Sequence, residues 1–199
     1  LAPERLGLER TQDFLDRLLL LTAKDGPADL TIWPETAVPY MLEYAPEVAG
    51  MVVAASGGRP VAVGIQREEG TRFYNSLRVL EGEGAETARY DKAHLVPFGE
   101  YIPFGDLAYQ WFGLTAFAAQ AGNTYSAGPG PQVLELGRLG QVLPLICYEA
   151  IFPGLSPHGS DRPQWLVNIT IDAWFGELMG PAQHAAQAAQ GLRGGGVAP

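Results

Sequence analysis

Cysteine is almost absent from this chain: Cys147 stands alone among 199 residues. An internal disulfide is therefore excluded, and the sequence leaves the redox compartment open. Lysine is nearly as scarce, with only Lys24 and Lys92 against eleven arginines. The three histidines, His94, His158 and His184, show no H-x-x-E-H spacing, and one cysteine cannot supply a C-x-x-C pair, so no metal site is expected. Neither a G-x-S-x-G elbow nor a Gly-rich phosphate loop is present. Positive charge is also short: a formal net charge of -9 speaks against nucleic acid as a partner. It speaks equally against a basic patch on an anionic bilayer, so any membrane contact must come from apolar side chains. No apolar run approaches the ~18 residues that span a bilayer, and no signal peptide is visible. The chain opens on Leu1 inside a helical pattern and reads as a fragment of a longer protein.

What is present describes one folded domain over residues 1–199. Hydrophobic residues make up 47% of the chain, enough for a substantial core. Leucines at helical spacing predict a helix over Pro3–Lys24, stopped by Asp25-Gly26-Pro27. Leu30–Trp33 reads as a short strand ended by Pro34, and Pro46–Ser56 as a second helix closed by Gly57-Gly58. Pro60–Gln66 and Phe73–Glu81 read as paired strands, and Glu86–Tyr90 as a further one. Strands follow at Gln132–Leu136, Val142–Ile146 and Gln164–Ile169, then a helix over Pro181–Leu192 and a frayed tail over Gly194–Pro199. Strands alternating with helices point to an α/β layered fold.

Three polar residues, Glu35, Lys92 and Cys147, each follow a predicted strand, which is where sites assemble on α/β sheets. A cysteine attacking a carbonyl needs a base for its proton and a positive charge or N–H groups for the developing oxyanion. Glu35 can be that base, a role favoured by apolar surroundings, and Lys92 with the backbone N–H of Tyr148 can hold the oxyanion. A chain that prefers arginine yet keeps lysine at 92 is consistent with a need for a compact point charge there. Against this stands the plainer reading of Cys147 as a small buried hydrophobe. His184 and His94 read as structural histidines.

The aromatics cluster. Residues 98–117 hold Phe98, Tyr101, Phe104, Tyr109, Trp111, Phe112 and Phe117, interrupted by prolines and glycines. The window reads as a long loop with a short helix, and long loops in compact domains are usually functional. Tyr101 to Phe117 is expected to form a mobile arm whose apolar side chains, Trp111 and Phe112 among them, meet lipid.

Trp33-Pro34-Glu35-Thr36-Ala37, Tyr90-Asp91-Lys92, His94 to Pro103 and Ile146-Cys147-Tyr148-Glu149 together resemble the carbon–nitrogen hydrolase (nitrilase) superfamily. The resemblance is closest to its apolipoprotein N-acyltransferase branch. Asn168-Ile169, Asp172 to Gly176 and Gly180 to His184 match that branch too, so the likeness covers about residues 13–190. It implies a nitrilase-like α-β-β-α sandwich, C-terminally truncated here. It implies a triad of Glu35, Lys92 and Cys147, with supporting roles for Glu100, Tyr148 and Glu149 around the acyl site. Tyr148 could instead be a packing aromatic and Glu149 an exposed turn acid. Trp174 and Phe175 read as core or pocket wall.

The implied reaction moves a fatty acyl chain from a phospholipid, through a thioester on Cys147, to the N-terminal amine of a diacylglyceryl-modified apolipoprotein. It needs no cofactor or metal. The implied location is the bacterial inner membrane, with the catalytic domain on its periplasmic side. Two rivals share the fold: a soluble amidase or carbamoylase that uses water as second nucleophile, and a non-catalytic binding domain. The chain departs from the branch at Ile171, where asparagine is usual, and over Ala185 to Gly196, which lacks the expected Arg/Glu pattern.

Overall fold

The computed structural model describes residues 3–24, 26, 28–38, 40–101, 125–155, 162–171 and 180–194. Helix α1 (Pro3–Lys24) and helix α2 (Pro46–Ala55) cover one sheet. In that sheet β1 (Thr31–Ile32) runs parallel to β2 (Val61–Glu69), which pairs antiparallel with β3 (Arg72–Glu81) and then β4 (Ala85–Asp91). The second sheet holds β5 (Leu134–Glu135), antiparallel to β6 (Gln141–Ile146), which lies parallel to β7 (Trp165–Ile169). Helix α3 (Gly180–Gly194) follows.

Side chains alternate across a strand, and three hydrophobic clusters show where each face goes. On β2 the odd positions Val61, Val63 and Ile65 pack against Leu15 of α1 and Val48, Val52 and Val53 of α2. The even face, with Ala62, joins Leu77 and Val79 of β3 and Tyr90 of β4 against Val142, Ile146, Val167 and Ile169 of the second sheet. The far face of β6, Leu143 and Leu145, meets Ala188 of α3. The order is helix, sheet, sheet, helix, which is the α-β-β-α sandwich. Each fully buried aliphatic such as Ile146 or Leu143 contributes about 1.5–3 kcal/mol, so these three interfaces dominate stability.

Two strands are shorter than their sequence patterns predict by two residues or more. β1 keeps two residues because Pro34 has no N–H for the ladder and the chain turns away there. β5 keeps two because residues 136–140 fold into a tight turn, with Leu136 N–H bonded to the Gly140 carbonyl at 3.0 Å. β2 runs on to Glu69, and α3 reaches Gly194. Most of the expected arm, including Trp111 and Phe112, lies outside the described residues, as do Trp174, Phe175 and residues 195–199. Among the described residues no helix is long and apolar enough to cross a membrane.

Candidate active site

Glu35 enters the space between the sheets through an interruption of the β1–β2 ladder. Trp33 N–H still bonds the Ala62 carbonyl at 2.8 Å, and Val38 N–H bonds the Gly64 carbonyl at 3.3 Å. Between them the turn Pro34–Ala37 loops out, with Thr36 at φ +50°. Gly64 lies directly beneath: a Cβ there would sit 2.2 Å from the Pro34 carbonyl oxygen and 2.6 Å from Glu35 Cα. Only glycine lets this turn rest on the sheet.

Lys92 extends β4 onto the same inner face. Its N–H bonds the Asn75 carbonyl at 2.8 Å, and its own carbonyl accepts from Gly128 at 2.8 Å. The Lys92 ammonium is buried, 3.8 Å from Glu35 Oε1 and 2.9 Å from the Glu100 carboxylate. Glu100 is brought in by the loop after Lys92, where its Oε2 accepts from Val96 N–H at 2.9 Å and its own N–H bonds the Val96 carbonyl at 2.9 Å.

Asn75 joins the two acids. Its amide donates to Glu35 Oε1 at 2.8 Å and to Glu100 Oε1 at 3.1 Å. Glu35 Oε2 takes a further bond from the Ile171 N–H at 3.1 Å. The main chain at 171 makes this contact, so it does not depend on the side chain there.

Cys147 stands where β6 ends and a 3-10 turn begins, at φ +52°. A non-glycine residue rarely adopts that conformation, and such strain concentrates at functional positions. Burial, the nearby Glu35 charge and the Glu100 charge push the thiol up to about 11, against the opposing pull of a Thr170 hydrogen bond and the Lys92 charge. At neutral pH it therefore rests as a thiol, within electrostatic reach of all three charged residues. Among the described residues no group of three or more His, Cys, Asp and Glu is arranged to hold a metal ion.

Glu149 is fully buried, not an exposed turn acid. Its Oε1 accepts from Tyr90 Oη at 2.7 Å and from Ala93 and His94 N–H at 2.9 Å, and its Oε2 from Ile146 N–H at 2.9 Å. It ties the loop after Lys92 to the strand that carries Cys147, so it sets how the two meet. The neighbouring Tyr148 is half-buried and packs edge-on against Phe152, ring centroids 4.9 Å apart, with the His94 ring tilted against Phe152 at 4.3 Å.

The structure thus brings Glu35, Lys92, Glu100 and Cys147 together, places Glu149 behind them as a brace and puts Tyr148 in an aromatic cluster alongside. Sequence reasoning passed over Asn75, Gly64 and Gly128. The available signal for Asn75 was a polar side chain on the inward period of a strand otherwise reading Leu77, Val79.

Comparison with known proteins follows the same line. The chain is 39% identical over 191 residues to the apolipoprotein N-acyltransferase of Rhizobium meliloti (strain 1021), covering 90% of this chain and 36% of that protein. It is 38% identical over 186 residues to the apolipoprotein N-acyltransferase of Brucella suis biovar 1 (strain 1330), covering 87% of this chain and 34% of that one. The chain therefore spans about a third of the length of the curated relatives it matches. Its fold is similar to the crystal structure of a carbon-nitrogen hydrolase from Helicobacter pylori G27, with a TM-score of 0.64 at 14% identity over 92% of this chain and 64% of that one. Residues 6–195 match the carbon-nitrogen hydrolase family, and with the sandwich and the strand-end cysteine in place, the chain belongs to it.

Proposed function

We propose that this domain carries out acyl transfer as part of an apolipoprotein N-acyltransferase, with Glu35, Lys92 and Cys147 as catalytic residues and Glu100 beside them. The observation that carries the reading is one buried ammonium set between two buried carboxylates, next to a strained thiol that is protonated at neutral pH. Such a thiol needs its proton removed as it attacks, and Glu35 is the base. Sγ adds to the ester carbonyl of a phospholipid, and the Lys92 ammonium with the Tyr148 N–H holds the developing oxyanion. Glu35 returns the proton to the departing glyceryl oxygen, leaving a thioester on Cys147 and a free lysophospholipid. The α-amine of a diacylglyceryl-modified apolipoprotein then attacks the thioester: the N–C bond forms, the C–S bond breaks, and Glu35 passes the amine's proton to the departing Cys147 sulfur.

The relatives' names support an apolipoprotein as the acceptor, and the reading places the domain at the periplasmic face of the bacterial inner membrane. Exposed Phe98, at 63% accessibility beside Glu100, supports an apolar rim that Trp111 and Phe112 would extend toward lipid. The test uses the intact parent enzyme. Given phospholipid and no acceptor, it should gain a fatty-acyl mass increment that neutral hydroxylamine removes and Cys147→Ala abolishes. Glu35→Gln should slow its appearance by at least ~100-fold, the scale of a lost general base. Hydrolysis of small amides through Cys147, with no acyl uptake from phospholipid, would establish the amidase instead.

A further inference from the structure

Tyr125 reaches the candidate site from a distant part of the chain. Its N–H bonds the Glu100 carbonyl at 3.0 Å, it bridges in parallel to Phe73 of β3, and Ser126 N–H secures the segment on the Phe73 carbonyl at 2.7 Å. Gln66 of β2 donates from Nε2 to the Tyr125 hydroxyl oxygen. Gln66 is paired in register with Asn75, the residue whose amide binds Glu35 and Glu100, so both side chains share the inner face of the sheet.

The Tyr125 oxygen thus accepts from Gln66, and its own proton must be donated elsewhere. The nearby carboxylates already have donors: Asn75 and Ile171 N–H on Glu35, and Asn75, Lys92 and Val96 N–H on Glu100. Burial and the charges of Glu100 and Glu35 push the phenol up, so it keeps that proton at any working pH.

We propose that Tyr125, oriented by Gln66, is a substrate-binding residue that donates a hydrogen bond to the oxygen of the acyl donor's leaving group. The inference rests on the acyl-transfer reading. In acylation the Sγ–C bond forms, the C–O bond to the glyceryl oxygen breaks, and the thiol proton passes through Glu35 to that oxygen. The departing oxygen must therefore lie beside Glu35, and Tyr125 is held by Gln66, the register partner of the Asn75 that binds Glu35. The second half-reaction is different. An attacking amine needs its lone pair for the thioester carbon, so an O–H donor gives it no help.

The two half-reactions separate the outcomes, each followed by intact mass on the full-length enzyme. Tyr125→Phe should slow thioester formation from phospholipid about tenfold, the scale of one neutral hydrogen bond. Transfer from a preloaded thioester to a peptide amine should stay unchanged, which also reports an intact fold. Gln66→Leu should act in the same direction, and the double variant should lose little more than either single one. A p-nitrophenyl acyl ester, whose leaving group needs little assistance, should show a smaller penalty than phospholipid. Equal loss in both half-reactions, no loss in either, or an equal penalty on both donors would overturn the proposal. Failure of the unsubstituted enzyme to load any acyl group would instead overturn the acyl-transfer reading, and Tyr125's role would fall with it.

Discussion

Asp91 and Lys92 are neighbours at the end of β4, yet strand alternation sends them to opposite faces of the same sheet, into two buried charge clusters of different kinds. On the outer face the Arg67 guanidinium grips Asp91 through two bonds of 2.7 and 2.6 Å. Ser76 adds a third bond to Asp91 at 2.6 Å, and Arg67 stacks 4.1 Å over the Tyr74 ring. Burial alone would raise the Asp91 carboxyl, but the hydrogen bonds from Arg67 and Ser76 and the Arg67 charge hold it below the usual range. Here the buried Asp91 is matched by one guanidinium, whose third nitrogen reaches out to the exposed Glu69 carboxylate at 2.8 Å. On the inner face Lys92 serves both Glu35 and Glu100, with a protonated thiol alongside. Two buried acids on one ammonium, with no solvent to screen them, is a poor arrangement for stability and a good one for moving a proton. The outer pair holds the strand end in place; the inner cluster uses the position so held.

Breaking the outer pair should therefore unfold the protein before it touches the chemistry. Asp91→Ala leaves the buried Arg67 guanidinium with only the exposed Glu69 carboxylate and should cost about 3 kcal/mol, the lower end for breaking a buried pair, measured by urea unfolding. The double variant Arg67→Met/Asp91→Leu should recover most of that loss, because a well-packed apolar pair can replace a buried ion pair. It should also keep acyl loading near that of the parent enzyme. Loss of acyl loading in a stably folded double variant would show that the outer pair shapes the site as well as the fold, and would erase the distinction. Gly64→Ala lies between the two regions. Its Cβ would meet the Pro34 carbonyl at 2.2 Å, so the Glu35 turn must lift. We expect a stability loss of about 1–3 kcal/mol, the range of overpacking, together with a collapse of thioester formation.

Much of this architecture was legible from the chain itself. Pro60–Gln66 and Phe73–Glu81 read as paired strands around a Glu/Gly loop, and the leucine spacing of Pro3–Lys24 matched the observed helix α1 end for end. Lysine and cysteine stood out by scarcity, and both fell at strand ends. What brings Lys92 against Glu35 and Glu100 is the stacking of two sheets and a loop closed by Glu100 on Val96, none of which spacing can express. Asn75 and Gln66 face each other only through the β2–β3 register. Tyr125 arrives through a bridge to Phe73 from 52 positions away, the difference of the two residue numbers. For Glu149 the resemblance implied a supporting role at the acyl site, with a surface acid as the alternative; its place as a brace is defined by four donors from Tyr90, Ala93, His94 and Ile146, which spacing does not show.

The smallest expected effect is also the one that most sharply distinguishes a proton-handling cluster from a structural one. Iodoacetamide alkylates the thiolate and needs no base from the protein. With the Cys147 thiol pushed up to about 11, the alkylation rate should climb steadily from pH 7 to 10 without a plateau. After burial, the Glu35 charge is the next strongest influence holding the proton on sulfur. Glu35→Gln removes that negative charge, so the thiol's pKa falls and alkylation at pH 8 should become several-fold faster. The same variant should load acyl groups at least ~100-fold more slowly, because the base is gone. One substitution then moves two reactions of one sulfur in opposite directions. Lys92→Met should slow both, since the lost positive charge raises the thiol and removes the oxyanion's partner. If Glu35→Gln slowed alkylation as well, Glu35 would be holding Cys147 in place rather than taking its proton, and the inner cluster would be structural like the outer one.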